Sequence, residues 1–222
     1  MRIFVLLPLL VVLSGCSKEP ILKYEIKGNT VTITDCDESA SGKLVIPAKI
    51  EGNPVTSIGD GAFSWCWRLT TIEVGEGNVN FTEVNGVLFN AEKTVLLTYP
   101  AGKKGANYTI PDGVTSIGIS AFTNSQFLRS ITIPDSVTSI GVRAFNRSGL
   151  TSITIPDSVT SIGSVAFSIC RNLTTVTFLG DAPKAGKYIF NGATPTIYRK
   201  PESKGWGETF GGRPVKLISE KP

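Results

Sequence analysis

The sequence predicts a mostly β repeat solenoid, a coil wound from units of 22–23 residues. Two observations carry that prediction. The string SITIPDSVTSIG occupies Ser130–Gly141 and recurs letter for letter at Ser152–Gly163, while a third copy, TIPDGVTSIG, begins at Thr109. Each copy runs on into the same second block: Gly118-x-x-Ala121-Phe122, Gly141-x-x-Ala144-Phe145 and Gly163-x-x-Ala166-Phe167, with Gly59-x-x-Ala62-Phe63 after a shortened first copy. Self-similarity at a fixed period marks units that stack because no single unit can bury its own apolar face.

The unit Leu150–Asn172 shows how one coil is expected to run. Ile153 and Ile155 fall on one face of a short strand and Thr154 on the other, as the two-residue period of a strand requires. β-branched residues dominate the stretch and suit it. Pro156-Asp157-Ser158 ends the strand, since proline donates nothing to a ladder and Asp and Ser make local turns. Val159 and Ile162 return to the interior with Thr160 and Ser161 between them, a second extended piece. Gly163 is expected to permit a tight corner, and Ser164–Cys170 to form one helical or 3₁₀ turn. Small Ala166 lets coils approach, and Phe167 fills the interior.

This order of residues resembles the BspA-type leucine-rich repeat, L-x-x-I-x-I-P-x-x-V-x-x-I-G-x-x-A-F-x-x-C. Leu150, Ile153, Ile155, Pro156, Val159, Ile162, Gly163, Ala166, Phe167 and Cys170 match it in sequence. The resemblance implies a leucine-rich-repeat right-handed coil with short parallel strands and short helical or 3₁₀ turns. It covers roughly Tyr24 to Arg199. Two units depart from it at the cysteine, where Ser125 or Gln126 and Ser148 or Gly149 stand instead.

The repeats are expected over 57–178. Within them, about 75–108 reads differently (NVNFTEVNGVLFNAEKTVLLTYP). Val84-Asn85-Gly86-Val87 is a hairpin turn signal, Asn90–Lys93 makes a second turn, and Val87, Phe89, Val95 and Leu97 are expected to form the apolar side. Residues 24–56 alternate apolar and polar through Val31, Ile33, Leu44 and Ile46, with Gly28-Asn29 as a turn, and are expected to cap the N-terminal end. Thr174–Phe178 is expected as the last regular strand. Residues 179–222 lose the period and gain Pro, Gly and aromatics, as a terminal cap does, with Phe190, Ile197, Tyr198 and Trp206 packing there. The alternative for Trp206, between two glycines, is an exposed binding aromatic.

The first 15 residues place Arg2 ahead of an apolar run, Ile3–Leu13, the layout of a secretory leader. The run is shorter than the roughly 20 apolar residues of a spanning helix. Leu13-Ser14-Gly15-Cys16 resembles the bacterial lipobox, which implies acylation of Cys16 and a membrane anchor, with 16–23 as the linker. Ser17-Lys18-Glu19 lacks the aspartate that retains lipoproteins at an inner membrane and resembles surface export signals of the Bacteroidetes type. The expectation is an outer-membrane lipoprotein exposed at the cell surface.

Several classes of function are set aside by composition. Histidine is absent, which removes Ser-His-Asp and Cys-His nucleophile systems and imidazole zinc sites. The net charge is +4 and the basic residues are scattered, so the clustered footprint of a nucleic-acid binder is missing. Cys36, Cys66 and Cys170 make an odd number beyond Cys16 and do not read as a disulfide scaffold. Cys66 and Cys170 occupy one repeat position, where they read as small buried residues. No metal and no cofactor is expected.

The function that remains is binding without catalysis: adhesion to protein or glycan ligands through the repeat face. The candidate row is Glu73, Thr132, Thr154 and Thr177, flanked by Ser130, Ser152, Thr71 and Thr175, all short or polar side chains on the outward side of the strands. The BspA-type resemblance implies attachment to host matrix proteins or to other cells. Two alternatives are carried. One is a periplasm-facing scaffold for an envelope complex. The other is a two-carboxylate glycan hydrolase using Asp112, Asp135 or Asp157, although recurrence at one turn of each coil is what a structural corner predicts.

Overall fold

A computed structural model describes residues 22–220; the leader and Cys16 lie outside the described residues. Two ladders and a row of turns form the sides of the coil. The first ladder uses the L-x-x-I-x-I strands. Ser41–Ile46 runs parallel to Arg68–Val74, and Asn107–Thr109 to Ser130–Thr132. Ser152–Ile155, Thr175–Phe178, Thr196–Arg199 and Arg213–Leu217 then follow one another, again parallel. The N–H of Thr151 donates to the carbonyl of Arg129 at 3.0 Å and links the last two groups. The second ladder stacks Val95–Thr98, Ser116–Ile117, Ser139–Ile140, Ser161–Ile162 and Lys184–Ala185 in parallel. Because the period returns each repeat position to the same corner, like faces like: Ser139 opposes Ser161 and Ile140 opposes Ile162.

On the third side the Ala-Phe blocks make turns rather than a continuous helix. Every second N–H closes a turn within its own coil, as Ala144 to Gly141 O, Asn146 to Arg143 O and Ser148 to Phe145 O. The N–H groups between them point sideways, as Arg143 to Ser164 O, Phe145 to Ala166 O and Arg147 to Ser168 O. Residues four apart sit in the left-handed region: Ser120 and Asn124, Arg143 and Arg147, Val165 and Ile169. These torsions break the helical path after each turn and turn the alternate amides toward the next coil, so this side is also hydrogen-bonded along the stack. The 3₁₀ turn read from the sequence is therefore present only as isolated i→i+3 turns. The one regular 3₁₀ segment among the described residues is Ile218–Glu220.

Two further expectations are corrected. Neither ladder stops with the perfect repeats: Lys184–Ala185 pairs with Ser161–Ile162 on the second, and Thr196–Arg199 pairs with Thr175–Phe178 on the first. Thr174–Phe178 is thus not the last regular strand, because parallel pairing is made by backbone groups and needs only the alternation of Ile197 inside, not the repeat consensus. Gly163 has no left-handed torsion. Its role is close approach: a Cβ there would lie 2.6 Å from the carbonyl carbon of Gly141 in the preceding coil.

The variant segment folds as read at its turn. Phe81–Val84 and Val87–Asn90 pair antiparallel around Asn85 and Gly86, both left-handed, the two-residue hairpin that the Asn-Gly pair favours. Its faces are not as read. Val87, Leu88 and Phe89 are all fully buried, and in the next strand Leu96 is buried while Val95 and Leu97 are only partly so. The reason is that the hairpin stands between two cores. Val87, Phe89 and Leu96 belong to the core that continues to Ile197, whereas Leu88 and Phe81 belong to the N-terminal core with Val31, Ile33, Leu44, Ile46 and Ile72. A strand with apolar neighbours on both faces loses the simple alternation of a half-exposed one.

The longer core is threaded by a ring stack. Tyr99, Phe122, Phe145, Phe167 and Phe190 follow one another with centroids 5.2, 5.0, 5.2 and 5.6 Å apart. Beside it the small residues of the last repeat position, Ser125, Ser148 and Cys170, are buried, and Cys66 holds the same position in the N-terminal core. Ser148 Oγ lies 3.3 Å from Cys170 Sγ, so Ser125 and Ser148 hold the cysteine positions and Gln126 and Gly149 do not. Both ends are closed. At the N-terminus Leu22–Lys27 pairs antiparallel to Thr30–Cys36 with Gly28-Asn29 as the turn, and its exposed Lys23, Glu25 and Lys27 blunt the free edge. At the C-terminus Trp206 and Phe210 pack on Phe178 at 4.9 and 5.3 Å, and Trp206 donates its indole N–H to Gly180 O. Trp206 is a capping residue.

Candidate functional site: a groove across the coil corners

The row expected on the first ladder is incomplete as a surface. Ser130, Thr132, Ser152 and Thr154 are exposed on adjacent coils, but Thr177 is buried at 7 % exposure between Thr154 and Tyr198, its two ladder neighbours. Glu73 is separated from Thr132. Arg68–Val74 pairs on one side with Ser41–Ile46, and on the other the Ile72 N–H donates to Gly86 O of the inserted hairpin. Glu73 also faces Lys43 at 3.2 Å, an exposed pair of little energetic weight. Thr71 is covered in part by Gly86. The structure thus brings together Ser130, Thr132, Ser152 and Thr154, and leaves Glu73 and Thr177 out.

A different surface holds a concavity. Where each turn block returns to the first ladder, a groove of about 910 Å³ runs along the stack, near the upper end of ordinary ligand pockets. Along the stack the lining runs from Trp67 and Arg68 through Ala101 to Asn124, Gln126 and Phe127, then Arg147, then Ile169, Arg171 and Asn172, with Glu38 at its N-terminal end. Coils about 4.8 Å apart place these residues along one line.

Its depth has a local cause in the sequence. Between the small buried residue and the leucine of the first ladder, two residues normally stand: Trp67-Arg68, Gln126-Phe127 and Arg171-Asn172. One coil has only Gly149 there, between Ser148 and Leu150. The missing residue leaves a notch between bulky neighbours, and the glycine lets the next coil in: a Cβ on Gly149 would collide with the Gln126 carbonyl and the Arg129 guanidinium. Arg129 spans the notch and donates to Gly149 O at 3.1 Å.

The walls carry free cations and exposed rings. Trp67 is 58 % exposed and Phe127 42 %. The Arg147 guanidinium lies 5.5 Å from the centre of the Trp65 ring and the Lys104 ammonium 3.6 Å from that of Phe127, within the range where a ring face attracts a cation. Among the described residues, Arg68, Arg147 and Arg171 form no ion pair. Asn124 is held by donating to Ser64 O at 2.6 Å, and Gln126 by donating to Arg147 O. The result is a preset trough of positive charge with apolar faces. Sequence reading missed it, although two signals were present: bulky aromatics at repeat positions otherwise filled by Gln, Asn or Arg, and one unit a residue short.

Asp112, Asp135 and Asp157 are exposed at successive corners of the first ladder and do not line the groove. Among the described residues no group of three or more His, Cys, Asp or Glu is placed to hold a metal, and no helix is long and apolar enough to cross a membrane.

Comparison with known proteins decides the lineage. Residues 43–103 and 101–199 match the BspA type leucine-rich repeat region in six copies. The chain belongs to the BspA-type leucine-rich-repeat family. The match begins earlier and ends later than the stretch 57–178 read from the sequence, in accord with the ladder strands at Ser41–Ile46 and Thr196–Arg199. Among solved structures, a leucine-rich repeat protein from Eubacterium ventriosum is similar at 34 % identity and a TM-score of 0.63 over 72 % of this chain. The pneumococcal vaccine antigen PcpA is similar at 27 % identity and a TM-score of 0.65, also over 72 %. This BspA-type chain spans only 42 % and 39 % of those two chains. No curated protein matches it.

Proposed function

We propose that this BspA-type protein is a cell-envelope lipoprotein, anchored through an acylated Cys16 in the outer membrane and facing outward, that binds a protein or glycan ligand and catalyses nothing. The observation that carries the binding role is the groove, whose Arg68, Arg147 and Arg171 form no ion pair among the described residues and whose Trp67 and Phe127 are exposed. Exposed rings gathered with cations in one trough, rather than scattered over the surface, present themselves to something else. The exposed hydroxyls of Ser130, Thr132, Ser152 and Thr154 form a second, flatter face. Family membership supports the class, and the leader and lipobox support the anchor.

The test is proteinase K digestion of intact cells, with a Cys16→Ala variant and a periplasmic marker. The reading expects the wild-type band to be lost while the marker survives, and Cys16→Ala to leave the membrane fraction. Protection of the band until lysis would overturn surface exposure in favour of a periplasm-facing scaffold.

A further inference from the structure

Resting on that binding role, we infer that the groove's ligand is an acidic polysaccharide, a linear glycan bearing carboxylate or sulfate groups that lies along the stack across the coil corners. Four features of the site converge on this class.

Charge is the first. The groove walls supply Arg68, Arg147 and Arg171 against a single acid, Glu38, at one end. Guanidinium groups offer a planar fork of donors that matches carboxylate or sulfate oxygens in pairs. Arg147 stands over the Trp65 ring, so its charge is partly positioned before any ligand arrives, which reduces the ordering loss on binding.

Direction is the second. The lining residues come from coils stacked along one axis, so the positive groups are spread along the groove, Arg68 towards one end and Arg147 and Arg171 towards the other. A linear polymer carrying acids along its length can meet them all; a compact small molecule meets only part of them.

Ring faces are the third. Trp67 exposes flat apolar surface within the trough, and Phe127, one face of which carries the Lys104 ammonium, adds part of its ring. A pyranose ring carries an apolar face of C–H groups alongside its hydroxyls, so one ligand can satisfy both ring stacking and the polar wall. The amide of Asn172, on the same wall, makes no side-chain hydrogen bond among the described residues and can meet hydroxyls, whereas those of Asn124 and Gln126 are committed to the backbone.

The backbone is the fourth, and it separates a glycan from a peptide. A peptide adding itself as a strand needs a free backbone edge. On this side the sideways amides are already used between coils, as Asn124 N–H to Asn146 O at 2.9 Å, Arg147 N–H to Ser168 O at 2.9 Å and Ile169 N–H to Asn191 O at 2.7 Å. Only side chains remain to read the ligand.

The experiment measures binding of the purified full chain to four immobilised polymers at physiological salt. They are heparin, which is sulfated; polygalacturonate, which carries carboxylates alone; neutral dextran; and poly-L-glutamate. Binding to one or both acidic polysaccharides and not to dextran is expected, and which of the two binds tells sulfate from carboxylate. The double substitution Arg147→Gln with Arg171→Gln should weaken that binding about tenfold or more, as loss of charge-assisted hydrogen bonds does. Trp67→Ala should weaken it severalfold. Lys184→Gln with Lys216→Gln, an equal loss of charge at exposed positions off the groove, should change it less than twofold. All these side chains are exposed, and unchanged melting temperatures will confirm that the variants fold.

Equal loss in both double variants would mean diffuse attraction by net charge and would overturn the inference. Poly-L-glutamate bound as tightly as the polysaccharides would overturn the glycan assignment. Binding to neither acidic polysaccharide would overturn this inference while leaving the broader binding role standing.

Discussion

Phe145 lies on Phe167 with ring centroids 5.2 Å apart and planes only 3° from parallel. The identical repeat strings place the two rings at equivalent positions of adjacent coils, and the backbone bond from Phe145 N–H to Ala166 O holds that register. Each ring is fully buried and packed on both faces by another ring. The stack couples the coils, since removing one ring leaves two neighbours facing a void.

Phe145→Ala should therefore destabilise by about 3–5 kcal/mol, the range for a buried phenylalanine. For a chain of this size that is a fall of roughly 10 °C in melting temperature. Thermal unfolding followed by circular dichroism measures it. A fall under about 2 °C would show that the stack adds little to coupling between coils.

Glycine at the coil corner should be intolerant of even one methyl group. A Cβ on Gly141 would sit 2.7 Å from the carbonyl carbon of Gly118 and 2.8 Å from the Ile119 nitrogen, both backbone atoms that cannot swing aside. Gly141→Ala should lower stability by about 1–3 kcal/mol through overpacking. Gly207→Ala, where the nearest atom is 3.6 Å away, should stay within about 0.5 kcal/mol of wild type. Urea midpoints of the two variants make the comparison.

Stability should fall on the alkaline side. Burial pushes the Tyr99 and Tyr108 phenols and the Cys170 thiol up, and Cys36 is pushed up by its hydrogen bond with Cys66 and by burial. An acid whose pKa is raised by folding binds its proton more tightly in the native state. Its contribution is whole below the unfolded pKa and is lost as pH rises beyond it, here from about 9 for the thiols and about 10 for the phenols. The urea midpoint should drop progressively above pH 9. Tyr108→Phe should flatten that drop and slightly stabilise the fold, because the Tyr108 hydroxyl is buried without a hydrogen-bond partner. A midpoint constant up to pH 11 would contradict the assignment.

The C-terminal lid should fail before the rest. Trp206→Ala removes the ring that covers Phe178 together with Phe210, and with it the indole bond to Gly180. Because Trp206 is only half-buried, the loss should fall below the ~3–5 kcal/mol of a fully buried aromatic. Hydrogen exchange should rise in Thr196–Arg199 and Arg213–Leu217 while Ser130–Thr132 stays protected. Uniform loss of protection would mean that the coils unfold as one unit.

How far the sequence reached can be followed residue by residue. The period of 22–23 and the alternation Ile153-Thr154-Ile155 determined the coil, the inward residues and the ladder partners, because a repeat that returns to one corner forces like residues to face one another. Asn85-Gly86 determined the hairpin, since only such residues accept its left-handed torsions at low cost. Other features depended on what the chain folds against. Leu88 is buried because a second core lies behind the hairpin, and Thr177 because its ladder neighbours close over it. The coils past Phe178 exist because backbone groups of a finished ladder recruit the next strand whatever its consensus. The groove depends on this most of all: one absent residue at Gly149 is a small defect in the period, and it becomes a trough only when the coils on either side stack Phe127 and Arg171 around it. Local spacing is written in the chain, while burial and concavity are properties of neighbours that only packing brings together.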